Sequence, residues 1–193
     1  GFSDVIAGAN LNDAAGTDAG SAYIYFGGSI PDNTADVNLS GAAGDRFGFS
    51  VSTAGDVNGD GYSDVIAGAL QNDAGGTDAG RSFIYFGGLY MDITADAILT
   101  GAAAGDQLGS SVSTAGDMNG DGYCDVIAGA TGNDAGGSSA GRAYIYYGAN
   151  SPDNTADVIL TGAAANDQFG NSVSSSGDVN GDGFDDVIVG ASI

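Results

Sequence analysis

Asp56-Val57-Asn58-Gly59-Asp60-Gly61-Tyr62-Ser63-Asp64 is one of three near copies of a nine-residue stretch. The others are Asp117-Met118-Asn119-Gly120-Asp121-Gly122-Tyr123-Cys124-Asp125 and Asp178-Val179-Asn180-Gly181-Asp182-Gly183-Phe184-Asp185-Asp186. Each copy carries side-chain oxygens at positions 1, 3, 5 and 9 and a glycine at position 6, the order in which a short loop wraps a hard, oxygen-seeking cation such as calcium. The candidate ligands are Asp56, Asn58, Asp60 and Asp64, then Asp117, Asn119, Asp121 and Asp125, then Asp178, Asn180, Asp182 and Asp186. Position 7 adds its main-chain carbonyl, from Tyr62, Tyr123 or Phe184. One calcium ion per loop gives about three per chain.

The loops are not EF-hands, which close with a bidentate Glu at position 12. Position 12 here is Ala67, Ala128 or Val189, inside an apolar, β-branched run. A calcium loop within a β-hairpin is therefore expected. Asp, Asn and Gly also favour turns without a metal. Three copies with the same oxygen positions, including a ninth that a turn alone does not require, favour the cation.

All 25 acidic residues are Asp, Lys and His are absent, and the only cations are Arg46, Arg81 and Arg142, giving a formal charge of −22. Without Glu or Lys, and with 36 Gly, the chain lacks the material of helix surfaces. An acidic surface of this strength argues against nucleic acid and anionic membranes as partners. No stretch reaches the roughly 18 apolar residues of a membrane span, so no membrane insertion is expected. Nor does a signal peptide precede Gly1, which fits a mature protein or a fragment. Cys124 alone excludes an internal disulfide framework, and no His is present to activate it.

Asp64, Asp125 and Asp186 are 61 residues apart, and Asp4 lies 60 before Asp64. Such a period is read before any element is assigned. The missing residue falls in Gly41-Ala42-Ala43-Gly44-Asp45, against Gly101-Ala102-Ala103-Ala104-Gly105-Asp106, which marks a surface loop. Each period holds four short strands. The first is expected over 49–55, 110–116 and 171–177, and the second over 4–9, 64–69, 125–130 and 186–191. The third is expected over 21–27, 81–87 and 142–148, and the fourth over 35–40, 95–100 and 156–161. Four antiparallel strands repeated radially describe the blade of a β-propeller, so the fold class is all-β.

The whole chain, 1–193, is read as one propeller segment: a partial blade over 1–46, blades over 47–107 and 108–168, and a partial blade over 169–193. Gly1-Phe2-Ser3-Asp4 matches positions 6 to 9 of the loop. About three blades cannot close a ring of the usual four to eight. A segment of a larger propeller is expected, with end-to-end joining of copies as the alternative. Asp13, Asp18, Asp73, Asp78 and Asp134, in the loops after the second strands, are either turn-fixing residues or a second cation site, with the turn favoured. The Tyr and Phe residues of the third strand are expected to pack between blades.

The FG element appears as Phe47-Gly48-Phe49-Ser50, Leu108-Gly109-Ser110-Ser111 and Phe169-Gly170-Asn171-Ser172. The GAP element appears as Gly68-Ala69-Leu70, Gly129-Ala130-Thr131 and Gly190-Ala191-Ser192, with Gly8-Ala9-Asn10 at the start. In these residues the chain resembles the FG-GAP repeat family, the module of integrin α-subunit propellers and of many extracellular microbial proteins. The family's Pro is replaced in every copy, and Leu108 stands where the family has Phe. The resemblance implies about seven blades, calcium in the hairpins between first and second strands at one face, and partners bound elsewhere.

The expected function is a calcium-stabilised propeller, extracellular or at the cell surface, with a structural, adhesion or surface-assembly role. Its partners would be other copies of itself, an extracellular protein or a glycan. With no His, Lys or Glu, and its aspartates assigned to loops and turns, the chain is not expected to be an enzyme. The alternatives are the scaffold of a polysaccharide-active enzyme, or a carbohydrate-binding module using an exposed tyrosine such as Tyr90.

Overall fold

The computed structural model describes residues 2–30 and 32–192. Gly1, expected at position 6 of a loop, and Pro31, in a third-to-fourth strand turn, lie outside the described residues, as does Ile193. Thirteen strands form four antiparallel sheets, and there is no helix among the described residues. Sheet I is β1 (Val5–Ala9), β2 (Ser21–Tyr25) and β3 (Val37–Ser40). Sheet II runs β4 (Phe47–Gly55), β5 (Asp64–Ala69), β6 (Arg81–Tyr85) and β7 (Ala97–Thr100). Sheet III repeats it as β8 (Leu108–Gly116), β9 (Asp125–Ala130), β10 (Arg142–Tyr146) and β11 (Val158–Thr161). Sheet IV comprises β12 (Ser172–Gly177) and β13 (Asp186–Gly190).

The apolar clusters lie between consecutive sheets, not within any one of them. Ile24 and Leu39 of sheet I meet Phe47, Ala67, Ala69 and Tyr85 of sheet II. Ile66, Ile84 and Leu99 on the other face of sheet II meet Leu108, Val112, Ala128 and Tyr146 of sheet III. The alternation of strand side chains sends Ile84 forward and Phe83 and Tyr85 back. Phe47 stacks edge-on against those two rings, at centroid distances of 5.5 and 6.3 Å. Third-strand aromatics thus pack between blades, as expected. Strands β5 and β9, covered on both sides, are almost wholly buried.

Small residues let the sheets approach. A Cβ on Gly68 of β5 would collide with the carbonyl oxygen of Gly109 in the next sheet, and one on Gly129 with that of Gly170. Gly109 has φ of +89°, which L side chains resist. Main-chain bonds cross at the same level: the Leu108 N–H donates to the Ala79 carbonyl (2.9 Å) and the Phe169 N–H to that of Ala140 (2.9 Å).

Strand ends differ from expectation in three regular ways, one being that the fourth strands begin two residues late, at Val37, Ala97 and Val158. The first strands of sheets II and III, β4 and β8, begin two residues earlier, at Phe47 and Leu108, because the FG pair joins the ladder as a bulge; register shifts between Phe47 and Ser50. The third strands stop two residues early, at Tyr25, Tyr85 and Tyr146. There the next amides, of Phe26, Phe86 and Tyr147, donate to the side chains of Asp36, Asp96 and Asp157 (2.7 Å each).

Candidate metal loops

Antiparallel order places the first-to-second and third-to-fourth strand connections at one end of every sheet. The three nine-residue loops therefore share one face. Within loop 1 the Asp60 N–H donates to both Asp56 Oδ1 (3.0 Å) and Asn58 Oδ1 (2.9 Å), while the Gly61 N–H reaches Asp56 Oδ2 (2.9 Å). The Asn58 amide in turn donates to Asp60 Oδ2 (3.0 Å), and Asp60 Oδ1 takes the Tyr62 N–H. Loops 2 and 3 repeat the pattern around Asp117 and Asp178. Positions 1, 3 and 5 are thus gathered about one main-chain amide. This path needs left-handed backbone at positions 4 and 6, with φ of +75° at Gly59 and +88° at Gly61. The glycine at position 6 belongs to the loop pattern read in the sequence; the one at position 4 is required by the same path.

Position 9 stands apart. Asp64 is completely buried, and its two oxygens accept the N–H groups of Val57 (2.8 Å) and Gly87 (2.7 Å). Asp125 does the same with Met118 (2.8 Å) and Gly148 (2.9 Å). The ninth carboxylate therefore ties its own loop to the exit of the third strand, and its recurrence has that cause as well as any cation. Burial raises the pKa of Asp64 and lifts that of Asp125 to about 6. The amide bonds oppose this, and the charges at positions 5 and 1 add to it. Asp178 lies below the usual carboxylate range, held there first by the Gly183 amide and then by those of Gly181 and Asp182.

Each loop offers three carboxylates, one side-chain amide oxygen and one main-chain carbonyl, an all-oxygen set that fits a hard divalent cation. Among the described residues no group of three acidic side chains is drawn tightly enough to hold an ion as it stands.

The other aspartates close turns. Asp13, Asp73 and Asp134 accept the N–H groups of Asp18, Asp78 and Ser139 at 2.8, 2.9 and 2.8 Å. Asp18 and Asp78 sit at positive φ. Tyr90 is 90% exposed at the tip of a third-to-fourth strand turn. Cys124 is a free thiol whose pKa is raised by burial.

Sequence reading missed the chaining of the loops. The Cys124 N–H of loop 2 donates to the Asp56 carbonyl of loop 1 (2.9 Å), and the Asp185 N–H of loop 3 to that of Asp117 (3.0 Å). Val57 is sealed beneath the next sheet, where the Ala149 N–H meets its carbonyl (2.9 Å). The repeated glycine at position 4 was the available signal.

Residues 47–85, 108–146 and 169–192 match the model of the FG-GAP repeat. The chain belongs to the FG-GAP repeat family. Integrin alpha-5 of Xenopus laevis is 39% identical over 88 residues, which cover 43% of this chain and 8% of that protein. The FG-GAP repeats coincide with the first three strands of sheets II and III and with sheet IV, and the chain is an integrin-like propeller domain. In FG-GAP terms, the contact of Gly68 with Gly109 sets the GAP glycine of one blade against the FG glycine of the next.

Proposed function

We propose that this chain is a calcium-binding, non-enzymatic propeller segment working outside the cell or at its surface, in adhesion, surface architecture or assembly. The observation that carries the reading is the threefold, all-oxygen loop on one face, with a buried carboxylate in each of sheets II and III whose charge is costly without a cation. Calcium would be held by Asp56, Asn58, Asp60, Asp64 and the Tyr62 carbonyl, and by their equivalents in loops 2 and 3. The ion supplies positive charge that offsets carboxylate repulsion and cross-links the hairpin. Kinship with an integrin α chain supports a surface location and a protein or glycan partner. The engagement of the aspartates in loop and turn hydrogen bonds argues against an acid–base pair.

The test is calorimetric titration of chelator-stripped protein with calcium, alongside melting curves. About three equivalents per chain are expected, with Kd near the ~10⁻⁴–10⁻³ M of extracellular modules. Saturation at about ten times Kd adds roughly 1.4 kcal/mol per site. An unchanged melting curve and no binding heat at millimolar calcium would falsify the reading.

A further inference from the structure

The seventh residue of each later loop has a second position to fill besides presenting its carbonyl. The Tyr123 ring lies over Gly59, its Cε1 only 2.6 Å from where a Cβ would stand. Phe184 covers Gly120 in the same way, at 2.7 Å. In each pair the eighth-position N–H also grips the carbonyl of the preceding loop's first residue, at 2.9 and 3.0 Å. In the second pair, Asp185 Oδ2 additionally accepts the Asp117 N–H (2.9 Å).

We infer that the cation sites are coupled between neighbouring loops, with the position-7 ring as the positioning group. The inference rests on the calcium reading above and adds its regulation. An ion in loop 2 fixes the Tyr123 carbonyl, and with it the ring and the following amide. Those two groups hold Gly59 and Asp56, both in the half of loop 1 that gathers its oxygens. Loop 1 is then already ordered when its ion arrives, and part of the ordering cost of the second binding event is removed. The effect is reciprocal, since coupling between two equilibria acts equally in both directions. It is confined to neighbours: loops 1 and 3 belong to sheets II and IV, which sheet III separates. Occupancy therefore spreads along the face as in a one-dimensional array.

The experiment titrates calcium alone into the stripped full chain by calorimetry, with circular dichroism to verify the fold. Loop 2 is disabled by Asp121→Asn and loop 3 by Asp182→Asn. Loop 1 is expected to bind at least about fivefold more tightly with loop 2 intact than with Asp121→Asn, within the usual range of coupling factors. Its affinity should change less than about twofold with Asp182→Asn. Tyr123→Ala leaves the carbonyl in place and should reduce the loop 1–loop 2 factor below about twofold, whereas Tyr123→Phe should keep it. Phe184→Ala, read on loop 2, repeats the test at a ring that is 45% exposed and so tolerates truncation. Loop 1 affinity indifferent to loop 2, or coupling that survives loss of either ring, overturns the inference and leaves calcium binding standing. No uptake by any loop overturns the calcium reading itself.

Discussion

Asp125→Ala, measured without calcium, separates the two roles of the ninth carboxylate. The wild-type side chain is fully buried and closes two hydrogen bonds, to the amides of Met118 (2.8 Å) and Gly148 (2.9 Å). Alanine leaves both amides without acceptors, at about 1–3 kcal/mol for each buried group. The expected loss is about 4 kcal/mol, because relief of a costly buried charge offsets part of the upper figure. For a chain of this length that is roughly 8–16 °C in Tm. Asp186→Ala is the internal control: its carboxylate is half-buried and accepts the Val179 N–H at an exposed site, so about 1 kcal/mol is expected. Urea denaturation in chelator, followed by circular dichroism, measures both. Equal stabilities for the two variants would refute the reasoning and leave position 9 as a metal ligand alone.

Three further outcomes follow from the geometry. Gly68→Ala drives a methyl group into the Gly109 carbonyl and should cost more than about 3 kcal/mol or unfold the chain, whereas Gly105→Ala, with open space around it, should cost about 1 kcal/mol for its φ of +82°; denaturant midpoints decide. Phe47→Ala removes a fully buried ring from the sheet I–sheet II core and should cost about 3–5 kcal/mol, against less than about 0.5 kcal/mol for Tyr90→Ala at an exposed tip. In chelator, Asp125 has a folded pKa of about 6 against 3.8 unfolded, so the folded state binds the extra proton and its stability contribution declines as pH rises between those values. Wild type should therefore lose more stability than Asp125→Ala from pH 4 to 6, and parallel pH profiles would contradict this.

The repeat made most of the fold legible. Runs such as Val65-Ile66-Ala67-Gly68-Ala69 are bounded by turn residues, and their 61-residue spacing marks the second strand of each sheet. What escaped was contact between residues distant in the chain. Phe47-Gly48 falls outside the strand expected over 49–55 because a bulge has no signature in alternation; only the next strand's register reveals it. Asp64 was legible as a loop oxygen because the pattern places it near Asp60, but not as the acceptor for the Gly87 amide, which lies 23 residues on. The Tyr123 carbonyl was legible within its own loop, but not its ring's seat, Gly59, which belongs to another loop. Local chemistry was visible; the neighbour that completes it was not.

Because every apolar cluster straddles two sheets, the front of one blade is the complement of the back of the next, and the same seam recurs with each period. A lone blade would have nothing to fold around. Copying or excising one whole period in phase, by contrast, reproduces a joint the chain already contains. Such a gene can lengthen by unequal recombination without inventing any new fit, so variation in blade number is an easier evolutionary step than change within a blade.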